Sequence, residues 1–206
     1  MQKRLFLLML ILMGTLLFYF SCEKKGVEKV TARKLIEQGW GKFEAGDFAG
    51  AGSDFSAALS IATITIDSTD AFLGLGWAQL RQSQGGLAEN SLVKHLSFAP
   101  GNNDGRAGLA FAYSTYFTTD KLRKAIDTAN VVLFSNPTWF FGHDNSIDST
   151  DLHLVLAQCY CLSAIFDSSL IQVREYYDST FWVDVKTDSG KIALGMKIQE
   201  WGSEIM

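Results

Sequence analysis

Proline is nearly absent from this chain: 206 residues hold two, Pro100 and Pro137. With so few fixed breaks, and with alanine and leucine abundant, helices are favoured over a turn-rich β architecture. Cysteine is almost as scarce. Cys22, Cys159 and Cys161 cannot build the framework of a disulfide-stapled domain. Cys159 and Cys161 would point to nearly opposite sides of a helix, so they should not bridge each other, and core packing explains them better than redox or metal chemistry. No Lys/Arg cluster or basic stripe is present and the net charge is −4, which argues against nucleic acid as a partner. Histidine is limited to His95, His143 and His153. No H-x-x-x-H pair exists, and the acidic residues near His143 and His153 miss the alternate-ligand spacing of a calcium loop. Helix starts and a solvated loop explain those residues better. Neither a metal nor a cofactor is expected.

Long apolar runs are missing too, except at the start. Leu5 to Phe20 follows Lys3 and Arg4. The run is shorter than the ~20 residues a spanning helix normally needs and suits a secretion signal over 1–21. Ser21-Cys22 then resembles the lipobox of bacterial lipoproteins, although Tyr19 and Phe20 are bulkier than that pattern. The resemblance implies that Cys22 is lipidated and that 22–29 is a tether. It also implies a cell-envelope address, with the periplasmic side of the outer membrane favoured because Glu23 is not the retention aspartate.

What the chain does contain is recurrence. Gly39-Trp40 returns as Gly76-Trp77, Ala51 as Ala88 and Ala125, and Pro100 as Pro137, each 37 residues on. A fixed period in this range marks stacked helical units, none of which can bury its apolar face alone. Apolar spacing and breakers predict hairpins at about 30–62, 68–99, 104–136 and 150–180, with a capping helix at about 189–204. Ile-Asp-Ser-Thr-Asp occurs at both 66–70 and 147–151 and reads as a helix start: Ser68 or Ser149 as the cap, isoleucine as a staple. Between the third and fourth units, 138–146 is irregular and stretches the spacing to 44.

These hairpins resemble tetratricopeptide (TPR) repeats over roughly 30–181. Gly39, Gly76 and Ala157 fit the small residue of the first helix, whereas Tyr113 departs from it. Ala51, Ala88, Ala125 and Ser169 fit the contact point of the second helix, with Phe55, Leu92 and Val173 one turn later and Ala129 undersized. The resemblance implies an all-α right-handed superhelix of about four hairpins plus a cap, acting as a scaffold for a protein or peptide partner.

No catalytic arrangement emerges. Gly74-Leu75-Gly76 lacks the third glycine of a dinucleotide loop, and His153 and Cys161 stand two turns apart with no oxyanion-hole loop. The remaining candidate is the inner face of the stack. Arg33, Ile36, Glu37 and Trp40 form one helical stripe, and Asp70, Leu73, Trp77 and Arg81 form the next. Phe111 and Ser114 continue it in the third unit, and Gln158 in the fourth. Trp40 and Trp77 are either groove anchors or packing between neighbouring first helices. Trp139, Phe140 and Phe141 are either a contact patch or a cover for the fourth unit. A lipid-anchored scaffold is the leading expectation. A small-ligand or sugar-uptake accessory receptor is the alternative, and would need a deep polar pocket.

Overall fold

The computed structural model describes residues 30–205; the signal, Cys22 and the tether lie outside that range. Among the described residues there are nine helices and one small β-hairpin. The helices pair as α1 (Ala32–Glu44) with α2 (Phe48–Ile61), α3 (Thr65–Arg81) with α4 (Gly85–Phe98), α5 (Asn103–Ser114) with α6 (Thr119–Ser135), and α7 (Ser149–Leu162) with α8 (Phe166–Tyr176). Each second helix also packs on the next first helix, and the first helices α1, α3, α5 and α7 lie side by side. A last helix, α9 (Asp188–Ile205), packs on α7 and α8.

Local chemistry explains most of the ends. Asp47 caps α2 by accepting from the Gly50 amide at 2.9 Å, and Asn102 caps α5 by accepting from the Gly105 amide at 2.7 Å, each satisfying an otherwise unpaired first-turn N–H. The tight turns of units one, two and four each need a left-handed residue: Gly46 (φ 81°), Ser83 (φ 59°) and Ala164 (φ 59°). Only the first of these is a glycine, the residue that adopts this conformation without steric cost.

The repeated pentapeptide does not begin two helices in the same way. At 147–151 the cap is Asp148, not Ser149. Its carboxylate accepts from the Thr150 amide at 2.6 Å while Asp151 accepts from the Asp148 amide at 2.8 Å, a reciprocal box that satisfies two first-turn donors. At 66–70 the helix has already begun at Thr65, Ser68 returns its hydroxyl to the Ile64 carbonyl, and Ile66 is exposed. The reason is Arg33, which reaches from α1 to bind Asp67 at 2.6 Å and Asp70 at 2.8 Å. Those aspartates serve the junction between units instead of the helix end.

Small residues set the packing distance. A Cβ on Gly39 would stand 2.8 Å from the Phe55 ring and one on Gly74 only 2.3 Å from it, so Phe55 is wedged between the first helices of units one and two. Leu92 repeats the wedge between Gly76 and Gly108. Gly108 thus stands to Leu92 as Gly74 stands to Phe55, on the first helix of the following unit. The main core follows these wedges from Ile36 to Cys159. A second cluster, with Val173, Leu194, Ile198 and Trp201, lies under α9. Burial of Leu194, Ile198 and Trp201 covers the end of the stack, while Ile192 and Met196 on the same helix stay exposed.

Candidate functional site

The face made by the first helices carries the predicted stripes, and its most informative feature is what already lies on it. The stretch after Pro137 is not irregular. Phe140–Phe141 (β1) pairs antiparallel with Asp144–Asp148 (β2). Trp139 and Phe141 point inward and are buried, whereas Phe140 between them is 59% exposed, the alternation expected of an extended segment. This hairpin covers the first and second units, not the fourth.

The contacts are aromatic and dense. Phe141 lies on Trp77 with ring centroids 4.0 Å apart and planes 18° from parallel, and meets Trp40 and Phe43 edge-on. His143 stacks on Trp40 at 3.6 Å, and its Nδ1 is 2.9 Å from the Glu44 carboxylate. Such ring pairs add about 0.5–1.5 kcal/mol each beyond area burial. The indole N–H groups of Trp139 and Trp77 end on one residue: Trp139 Nε1 donates to the Asp104 carboxylate at 2.8 Å, and Trp77 Nε1 donates to the Asp104 carbonyl at 3.2 Å. At the rim, Arg81 pairs with Asp144 at 3.1 Å and lies over the Phe48 ring.

The predicted residues therefore divide. Trp77 is 1% exposed and Trp40 half-buried: both belong to the first-helix face, yet the chain's own hairpin covers them. Trp77 packs against the neighbouring first helix, meeting Phe111 at 5.9 Å and the Asp104 carbonyl on α5, and the hairpin laid over both tryptophans is an addition that helical spacing does not contain. Ile36 is buried and Leu73 packs against the core. Arg33 and Asp70 bind each other, and Glu37 is exposed. His143, read from sequence as part of a solvated loop, is instead a ring contact of Trp40. Asp104 and His143 escaped the sequence stripes because their roles arise from a fold-back that helical spacing does not encode.

Beyond the hairpin the face opens into two neighbouring clefts that share Ser114. One, of about 560 Å³, runs between α3, α5 and β2 and is lined by Trp77, Arg81, Phe111, Ser114, Ile147 and Asp151. Burial pushes the Asp151 carboxyl above its ordinary value. The other, of about 630 Å³, lies between the C-terminal ends of α5 and α7 and the cap helix α9. Its walls include Ser114, Phe117, Gln158, Leu162, Ile198 and Gln199. Phe117 and Gln199 were not among the stripe residues, since one sits in a loop and the other on the cap.

The groups with the most chemical potential are engaged in packing. His95 is buried with Nδ1 2.9 Å from the Thr69 carbonyl. His153 stacks on Tyr176 and bonds Gln172 at 2.8 Å, with burial lowering its pKa. Cys159 and Cys161 are free thiols. Burial raises the pKa of both, that of Cys159 to about 12, the opposite of an activated nucleophile.

No family model matches this chain, and no curated protein sequence does. Among solved structures, it is similar to a thermophilic TPR protein of Thermus thermophilus, with a TM-score of 0.54, 18% identity and 84% of each chain covered. At that identity the likeness is one of fold: an all-α, TPR-like stack of helical hairpins.

Proposed function

We propose that this chain is a non-enzymatic scaffold that holds a peptide or protein partner in the groove of its first-helix face, tethered to the cell envelope through a lipid on Cys22. The observation that carries the groove is the buried Trp139–Phe141 segment. A face that seats an extended stretch of its own chain by alternate side chains has the spacing and pockets for such a ligand. The first two units are taken, so the partner's place is the open continuation from Arg81 past Ser114 to Gln158. The fold shared with a TPR protein supports the scaffold class, and the lipobox-like Ser21-Cys22 supports the tether.

The test is site-specific photocrosslinking in the full chain. A photoreactive residue at Ser114 or Phe117 should yield a discrete partner adduct, whereas one at Phe134, exposed on α6, should not. Adducts from Phe134 alone, or a monomer that purifies with a small molecule and no adduct, would reject the groove. Separately, Cys22→Ser should release the protein from membranes, and unchanged retention would reject lipidation as the anchor.

A further inference from the structure

The cleft beneath the cap helix has properties that narrow the partner's chemistry. None of the side chains lining it is charged. Its apolar wall is Leu162 and Ile198, with Phe117 standing 81% exposed at the mouth. Its polar groups are Ser114, the Cys161 thiol and the amides of Gln158 and Gln199, and neither glutamine amide has a hydrogen-bond partner among the described residues. A glutamine amide offers donor and acceptor together, the complement of a peptide unit. On α9, exposed Ile192 and Met196 share a helical stripe with Gly195 and Gln199 and extend the apolar rim. Within the cleft, a Cβ on Gly195 would meet nothing within 4 Å, so the floor there is open.

The neighbouring occupant of the same face indicates what this surface takes. Thr138-Trp139-Phe140-Phe141-Gly142 carries no charge, is extended at Phe140–Phe141, and buries the alternate rings of Trp139 and Phe141. We infer that the cleft between α5, α7 and α9 docks a partner segment of the same chemistry: an uncharged, extended peptide that inserts apolar side chains beside Phe117 and Leu162 and pairs its backbone with Gln158 and Gln199. The absence of charge acts as a filter, because a Lys or Glu side chain seated here would lose hydration with no opposite charge to receive it. This inference rests on the reading of the first-helix face as a peptide groove.

The experiment uses the full chain, solubilised in detergent, on an array of synthetic decapeptides. Half are built on the frame Thr-Trp-Phe-Phe-Gly and half carry Lys or Glu within it. The uncharged set should be retained and the charged set should not. Gly195→Phe, which fills the open floor, and the double variant Gln158→Ala/Gln199→Ala should each weaken retention about tenfold or more, with helicity and unfolding midpoint unchanged. Phe117→Ala, at an exposed loop residue, should weaken retention as well and provides a second test that does not depend on the helices tolerating substitution. Retention of no peptide would reject the peptide groove itself. Preference for charged peptides, or retention that survives Gly195→Phe, would reject this cleft and its chemistry alone. A dimer in light scattering that Gly195→Phe returns to monomer would likewise reject this cleft alone, whereas retention of uncharged oligosaccharides in place of peptides would reject the peptide groove with it.

Discussion

Phe141 rests flat on Trp77, with ring centroids 4.0 Å apart although the residues are 64 positions distant in sequence. A ring from the inserted hairpin thus completes the core of the second unit. Removing either side leaves a hole that the rigid helices cannot close. Phe141→Ala and Trp77→Ala should each cost about 3–5 kcal/mol, whereas Phe140→Ala, on the exposed side of the strand, should change stability by about 0.5 kcal/mol or less. Urea unfolding followed by circular dichroism distinguishes these values. Equal effects at 140 and 141 would contradict the inward–outward alternation.

The glycine wedges make an opposite kind of prediction, through crowding. Gly74→Ala would put a methyl 2.3 Å from Phe55, and Gly76→Ala would put one 2.5 Å from Leu92. Each should destabilise by about 1–3 kcal/mol despite the better helix propensity of alanine. Gly41→Ala, whose Cβ meets nothing within 4 Å, should instead gain up to about 1 kcal/mol. The three unfolding midpoints, measured side by side, separate propensity from packing.

Ala164 holds a left-handed backbone at φ 59° between α7 and α8, where unit one uses Gly46. Ala164→Gly should therefore raise stability by about 1 kcal/mol, and Ala164→Val, which puts a β-branched side chain into the same left-handed conformation, should lower it. Thermal unfolding of both variants tests the turn. A destabilised glycine variant would count against strain at this position.

The buried thiol carries a pH signature. Cys159 is raised from an ordinary 9.0 to about 12 in the folded chain, so the unfolded state releases its proton first. With the folded value above the unfolded one, the contribution is intact below about pH 9 and is lost as pH rises toward 12. In a Cys22→Ser background, Cys159→Ala should flatten this alkaline loss relative to the parent, although the variant is less stable at neutral pH. Partly exposed Cys161 should react with a thiol reagent before Cys159 does. Reaction in the reverse order would overturn the burial assignment.

Helix spacing, hairpin pairing and the small-residue wedges were legible from sequence because each depends on neighbours a few turns or one repeat away. The resemblance to TPR repeats marks Gly39 and Gly76 as points of close approach, and the structure sets Phe55 and Leu92 against them. The destination of Trp139 and Phe141 was not legible. A spacing of 44 instead of 37 announces an insertion but says nothing of where it folds, and aromatic residues suit a surface patch and a core equally. Identical pentapeptides also took different roles, since Arg33 claims Asp67 and Asp70 in one copy, whereas in the other Asp148 and Asp151 cap each other's amides. Of the groove stripe, Arg81, Phe111, Ser114 and Gln158 line open clefts, while Trp77, though it borders one of them, is almost fully buried beneath a segment that the stripe could not represent.

The hairpin also changes how the domain should come apart. In a linear array each unit touches only its neighbours, so the ends can fray while the middle holds. Here Glu44 meets His143 across 99 positions, and Arg81 meets Asp144 across 63. The connection that leads into the fourth unit is fastened to the first and second. Fraying of α1 must then disturb the approach to α7, so opening at one end is felt at the other and the stack should melt as a single cooperative unit.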